Sequence, residues 1–456
     1  MSLVLIVTGT VVAIHRTTAH DWPGHWDRRV APYVHFVERE RGLRFRHPVA
    51  AEFLADAAFN RRVSGQQKLS SDDIAQLHQY EGIFRALGLV SGKIDLRKAS
   101  EQLDREEVIG LYDPDTRRIY VRGDQITLSM QPTIVHELTH ALQDQRFEID
   151  PTLDSSNEQT AFRSLVEADA MRVEDAYVQS LSDDDQQKID DEQRAQAKAA
   201  DLATVPKILT ELFSFPYALG PAFVTALDHA GGLARINHAF TDRPATEQQI
   251  AQPSTYLAGQ RPVTVTAPKL RAGETKVGDT DDFGMVSLLL VLGQRVPFTT
   301  AWDAVKDWRG DNSVTYRTKG TDCIRIRVEV ATANAADRLA SAANAWATGR
   351  PSATVDEAGR DVEIASCDPG AAGTAADVTP RPFEVLQLRS EILAATLNGG
   401  LDESDAECTA DAVIRDHDPA NLLTVAQLDD ERDPRVRELQ RDITNAVTRC
   451  RERTTS

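Results

Sequence analysis

The chain has 456 residues, 41% of them hydrophobic, and a formal net charge of −19 at pH 7. That length suggests roughly two or three domains at about 150 residues each, and the apolar share is enough for sizeable cores. An acidic surface, with a pI of about 5.1, repels phosphate and argues against nucleic acid as a partner, while leaving peptide substrates open.

Leu3 to Ile14 is a largely apolar run. It is shorter than the roughly 18 residues a spanning helix needs and matches a signal h-region. Thr17-Thr18-Ala19 offers a small-residue cleavage site, although no Lys or Arg precedes Arg16. Residues 1–19 are expected to be a signal peptide or the remnant of a membrane anchor, with a buried first strand as the alternative. The expected location is secreted or cell-envelope, with attachment through the N-terminus.

Residues 20–44 read as irregular, and His47 to Phe53 alternates as a strand. Ser70-Ser71-Asp72-Asp73 caps a helix carrying Ile74, Leu77, Phe84 and Leu87. Val108 to Val121 is two β-rich runs around Asp113-Pro114-Asp115, a hairpin whose edge suits strand addition by an extended peptide.

Next comes His136-Glu137-Leu138-Thr139-His140, H-E-x-x-H, on a predicted helix with Pro132 in its first turn and an apolar body of Ile134, Val135, Leu138, Ala141 and Leu142. Residues four apart share a helix face, so His136 and His140 can aim two imidazoles at one ion. Glu137, about 100° round the helix, can reach a water on the open side. Two neutral nitrogen ligands beside a carboxylate base suit catalytic Zn2+. Asp144, four after His140, is placed to orient an imidazole.

After a loop at 150–157, a helix runs from about Glu158 to Leu181, and a Glu from such a later helix is one way to supply the third protein ligand that a catalytic zinc needs. Glu167 is favoured, because Leu165, Val166, Ala168 and Ala170 surround it. Glu158 and Glu174 are rivals. Asp169, two residues on, faces the opposite side and joins Asp144 as a supporting carboxylate. Residues 182–200 are strongly polar and read as a solvated helix or an insertion. From Leu202 a further helical region runs to Gly231-Gly232, and Tyr217 within it is the candidate oxyanion donor, a buried structural tyrosine being the alternative. Residues 284–294 are apolar and helical.

These motifs resemble bacterial zinc metallopeptidases of the gluzincin type, distant relatives of thermolysin. His136 to Gln145 and Glu167-Ala168-Asp169-Ala170 carry the likeness. Ile109 to Asp113, Thr246-Glu247-Gln248 and Trp308-Arg309-Gly310-Asp311 support it. Ala168 stands where the family has Gly, and Gln252-Pro253 where relatives often carry His-Pro. The resemblance implies Zn2+ held by His136, His140 and Glu167, with Glu137 as base. It also implies an α+β, zincin-like catalytic domain of two lobes over residues 45–320.

All four cysteines lie in the last third. Cys323 to Val330 and Asp361 to Cys367 alternate as half-buried strands, each with its Cys on the polar face. A Cys323–Cys367 bond between antiparallel neighbours would set Arg327 across from Glu363, and Glu329 across from Asp361. With an Ala-rich helix at 335–347 this makes a small α+β unit, 321–370. A Gly/Ala/Pro linker at 368–381 leads to a helical unit, 383–456, stapled by Cys408 and Cys450. The expected function is zinc-dependent peptide-bond hydrolysis outside the cytoplasm; the alternative is a catalytically silent zinc-bearing surface protein that binds a partner.

Overall fold

The stretch that reads as irregular before residue 45 holds a helix, α1 (Ala31–Arg41). Pro32 sits in its first turn, Val34, Val37 and Arg41 form a buried stripe, and Gly42 closes it at φ 60°. The charged residues between those three positions hide the period. The structure, a computed structural model, describes residues 22–63, 71–106, 109–149, 153, 155–199, 202, 205–372, 381–428 and 432–454. The expected signal segment at 1–19, Ser70 of the expected cap and most of the expected linker lie outside these.

After α1 come β1 (Ala50–Leu54), α2 (Asp56–Val63), α3 (Ser71–Leu87) and α4 (Leu96–Glu106). The hairpin follows as β2 (Gly110–Asp113) and β3 (Arg118–Arg122), antiparallel as expected, with Tyr112 opposite Ile119. β1 joins β3 in parallel, so the strand order is β1-β3-β2 and β2 is an outer strand. The H-E-x-x-H segment is α5 (Gln131–Phe147). α6 (Ser156–Gln179) begins at Ser155, whose hydroxyl accepts from Glu158 N. α7 (Asp183–Ala199) is followed by α8 (Lys207–Ala239), which contains Pro216 and Pro221 and is broken at Gly231 and Gly232.

Short helices α9 (Glu247–Ala251) and α10 (Pro253–Leu257) precede β4 (Thr275–Lys276), α11 (Met285–Leu292) and α12 (Phe298–Val305). A second sheet is built from β5 (Trp308–Thr318), β6 (Thr321–Val330), β7 (Thr354–Ala358) and β8 (Asp361–Cys367), with α13 (Ala333–Ala347) between β6 and β7. Its order is β4-β5-β6-β8-β7. The expected boundary at 320/321 falls between β5 and β6, which pair along their lengths. The chain ends in α14 (Pro382–Asn398), α15 (Glu403–Asp416), α16 (Pro419–Ala426) and α17 (Pro434–Thr454).

The register expected from the cysteines is present: Cys323 faces Cys367, Arg327 faces Glu363 and Glu329 faces Asp361. The Glu329–Asp361 repulsion is offset by Arg360, which donates to Glu329 at 2.7 Å. Disulfides join Cys323 to Cys367 and Cys408 to Cys450. Cys323 is not on a polar surface, however. It is fully buried beside Val314 and Tyr316 of β5, the strand that pairs with β6 and sets Tyr316 opposite Cys323.

The protein is thus a mixed α/β structure with two disulfides, a bond type that fits an oxidising, extracytoplasmic compartment. Among the described residues no helix is long and apolar enough to cross a membrane. Among the described residues two large buried clusters and the small one around Cys323 hold the fold. One joins α1, the first sheet and the inner face of α5, through Val34, Ile119, Val121, Ile134, Leu138 and Leu142, and takes in Val173 of α6. The larger contains Leu165 of α6, Phe223 of α8, Leu289 of α11, Ile326 of β6 and Leu393 of α14. α6 contributes to both.

Candidate metal centre

Packing of α5 on α6 brings three side chains to one point. His136 Nε2 and His140 Nε2 are 2.9 Å apart, and each lies 3.3 Å from Glu167 Oε2. Four ligands placed tetrahedrally at about 2.0–2.1 Å from a zinc ion would be about 3.3–3.4 Å from one another. Among the described residues this is the one group of His, Cys, Asp and Glu that could hold a metal ion.

The chemistry of the donors agrees with the spacing. His136 Nδ1 is 2.9 Å from Glu174 Oε2, and His140 Nδ1 is 2.9 Å from Gln143 Oε1. Both neighbours are acceptors, so each Nδ1 carries a hydrogen, and when the imidazoles are neutral both Nε2 atoms present a lone pair. Two lone pairs and a carboxylate oxygen facing one another demand positive charge. The titration of the metal-free groups has the same direction. Burial disfavours charge on His136, but the hydrogen bonds that the ring donates to Glu167 and Glu174 outweigh it and hold its pKa well above the usual range. Burial likewise opposes charge on Glu167, yet His140, His136 and Arg163 hold its carboxyl well below the usual range.

Glu137 is buried on α5 and its Oε2 accepts from the backbone N–H of Tyr112 at 2.5 Å. That bond ties the acid to the outer strand β2. Gly110 lets β2 lie this close, since a Cβ there would meet Thr133 Cγ2 at 3.2 Å. Tyr217, on α8, stands beside Arg163, and its phenol feels the charges of Glu167 and Glu137. Burial and Glu167 push that phenol's pKa up. Arg163, one turn before Glu167, has Nε 3.5 Å from Glu167 Oε1.

The supporting carboxylates are arranged differently from expectation. Asp144 does not orient an imidazole: it accepts from Tyr112 Oη at 2.7 Å. Tyr112 occupies the space above the last turn of α5, and the shorter reach from i+3 gives His140 to Gln143. Asp169 reaches His140 only through Gln143, at 2.8 Å. Glu174, a rival ligand in the sequence, backs His136 instead. It is seven residues after Glu167, two turns along the same face, and that spacing was the signal for it. Glu158 does not join the cluster.

The Thr246-Glu247-Gln248 and Trp308–Asp311 motifs are also outside the cluster. Glu247 Oε2 accepts from Val286 N at 3.0 Å and Ser287 N at 3.3 Å, at the start of α11. Asp311 accepts from Phe283 N, Gly284 N and Trp308 Nε1. Gln252 lies at the junction of α9 and α10. These residues clasp helix starts.

Comparison with protein-family models finds no match to this chain. Nor does comparison with curated proteins or with solved structures.

Proposed function

We propose that the protein is an extracytoplasmic zinc metallopeptidase of gluzincin type, with a zincin-like arrangement of sheet, α5 and helical lobe. The observation that carries this reading is the convergence of His136 Nε2, His140 Nε2 and Glu167 Oε2, with Glu137 on the same helix. Bound there, a zinc ion would polarise a carbonyl and acidify water.

The chain's own residues supply the rest. Glu137 is held through Oε2 by Tyr112 N, which leaves Oε1 to take a proton from the attacking water and return it to the leaving amine. Tyr217 and Arg163 offer hydrogen-bond donors for charge developing on the carbonyl oxygen. The raised pKa of Tyr217 keeps its phenol protonated for that role. Ile109 O accepts from Arg122 N on β3, so by strand alternation Gly110 and Tyr112 turn their backbone groups to the outer edge. An extended peptide lying along that edge passes Glu137.

The test is Glu137→Gln. The variant should keep one zinc per chain while casein cleavage falls by about 10²–10⁴-fold. Cleavage that survives the change removes Glu137 from the mechanism. A wild-type protein that binds zinc but cleaves nothing would favour the silent, partner-binding alternative.

A further inference from the structure

Three buried side chains, Gln143, Asp169 and Arg41, stand in line behind His140. Gln143 Nε2 donates to Val166 O at 3.0 Å and to Asp169 Oδ2 at 2.8 Å. Both amide hydrogens are thereby used, and a flipped amide would set its oxygen against a carbonyl and a carboxylate. Oε1 is therefore the atom that meets His140 Nδ1 at 2.9 Å. Asp169 lies 2.9 Å from Arg41 Nε, with both side chains fully buried, and Arg172 approaches its other oxygen at 3.4 Å. Arg41 also donates to Asn237 Oδ1 on α8 at 2.9 Å. The run passes from the end of α1, through α6, to α5.

We propose that Arg41, Asp169 and Gln143 are positioning residues that fix the tautomer of His140 from behind, making helix α1 a component of the metal centre. The proposal rests on the metal-site reading above and extends it. A neutral imidazole carries a single N–H, and if that hydrogen sits on Nε2 the ligand lone pair is lost. An acceptor held at Nδ1 selects the useful tautomer. A carboxylate could do this directly, as Glu174 does for His136. Behind His140 the space is sealed, and a second carboxylate there would face Asp169 unpaired. Gln143 passes on the polarity of Asp169 without its charge, while Arg41 neutralises that charge in place. The two imidazoles are consequently unequal: His136 is backed by a charged acceptor with some exposure, His140 by a neutral one in the interior.

Two measurements on the full chain test this: long-range proton–nitrogen correlation of ¹⁵N-labelled histidines in the metal-free protein, and zinc affinity by chelator competition. Wild type should show His140 protonated at Nδ1. Gln143→Leu should lose that preference and weaken zinc binding by about 10–100-fold. Arg41→Lys, which keeps a cation beside Asp169, should retain both properties, and Arg41→Met should lose both. If Arg41→Met does not fold, Gln143→Leu decides alone. An unchanged His140 tautomer and undiminished zinc affinity in Gln143→Leu would overturn the relay. A wild-type chain that takes up no zinc would instead remove the metal reading, and the tautomer measurement would still judge the relay.

Discussion

Gly220 of α8 lies so near Ser164 of α6 that a Cβ on it would fall 2.5 Å from the Ser164 carbonyl oxygen and 2.8 Å from the Ala168 Cβ. Gly220→Ala should push α8 from α6, lower stability by about 1–3 kcal/mol through overpacking, and weaken zinc binding, because Glu167 and Tyr217 lie on the two helices concerned. Thermal unfolding and chelator competition read the two effects. An unchanged affinity would mean that the helix spacing does not set the site.

Glu174 holds His136 as Gln143 holds His140, but with a full charge. Glu174→Ala should reduce zinc affinity by about 10–100-fold. Glu174→Gln keeps an acceptor and should cost less. Equal losses in the two variants would show that the charge, rather than the orientation, is what matters.

Burial raises the Glu247 carboxyl to about 8, opposed by its bonds from Ser287 and Val286. Asp282 beside it is raised to about 7, again by burial and then by Asp311. A carboxyl whose folded pKa lies above its unfolded value binds more protons when folded. Its stabilising share is present below about pH 4.5 and is lost as pH rises to about 8. The melting temperature should therefore fall between pH 5 and pH 8. Glu247→Gln keeps the acceptor for Val286 N and Ser287 N, and should flatten that slope. A slope as steep in the variant as in wild type would assign it to other groups.

The Cys408–Cys450 bond closes α15 onto α17. Replacing both cysteines with serine should lower stability by about 2–4 kcal/mol. It should leave zinc affinity unchanged, because neither helix carries a residue of the cluster. Denaturant titration with parallel metal binding checks both halves of this expectation.

Much of the site can be read from spacing alone. His136, His140 and Glu167 converge because helix period and loop length leave little choice once α5 and α6 run side by side. The supporting residues are harder to read, since i+3 and i+4 are both neighbours on a helix. Only packing decides that Gln143 rather than Asp144 meets His140. Arg41 and Arg163 carry no signal of their own; each is an ordinary arginine until another helix arrives beside it. In the fold, β6 and β8 declare themselves by alternation, and the cysteines give their register. β7, largely exposed and acidic, and the two-residue β4 do not. The Glu247 and Asp311 motifs are visible as motifs, but their work in clasping α11 depends on contacts no local pattern encodes.

α5 is rooted in one apolar interior, and α6 spans from that interior into the other. A cation gripped by both helices would act as a rivet across the joint between the two halves of the molecule. Withdrawing it would let the halves hinge apart while each stayed intact. Protease nicking near the start of α6 would report the change sooner than any loss of helix content.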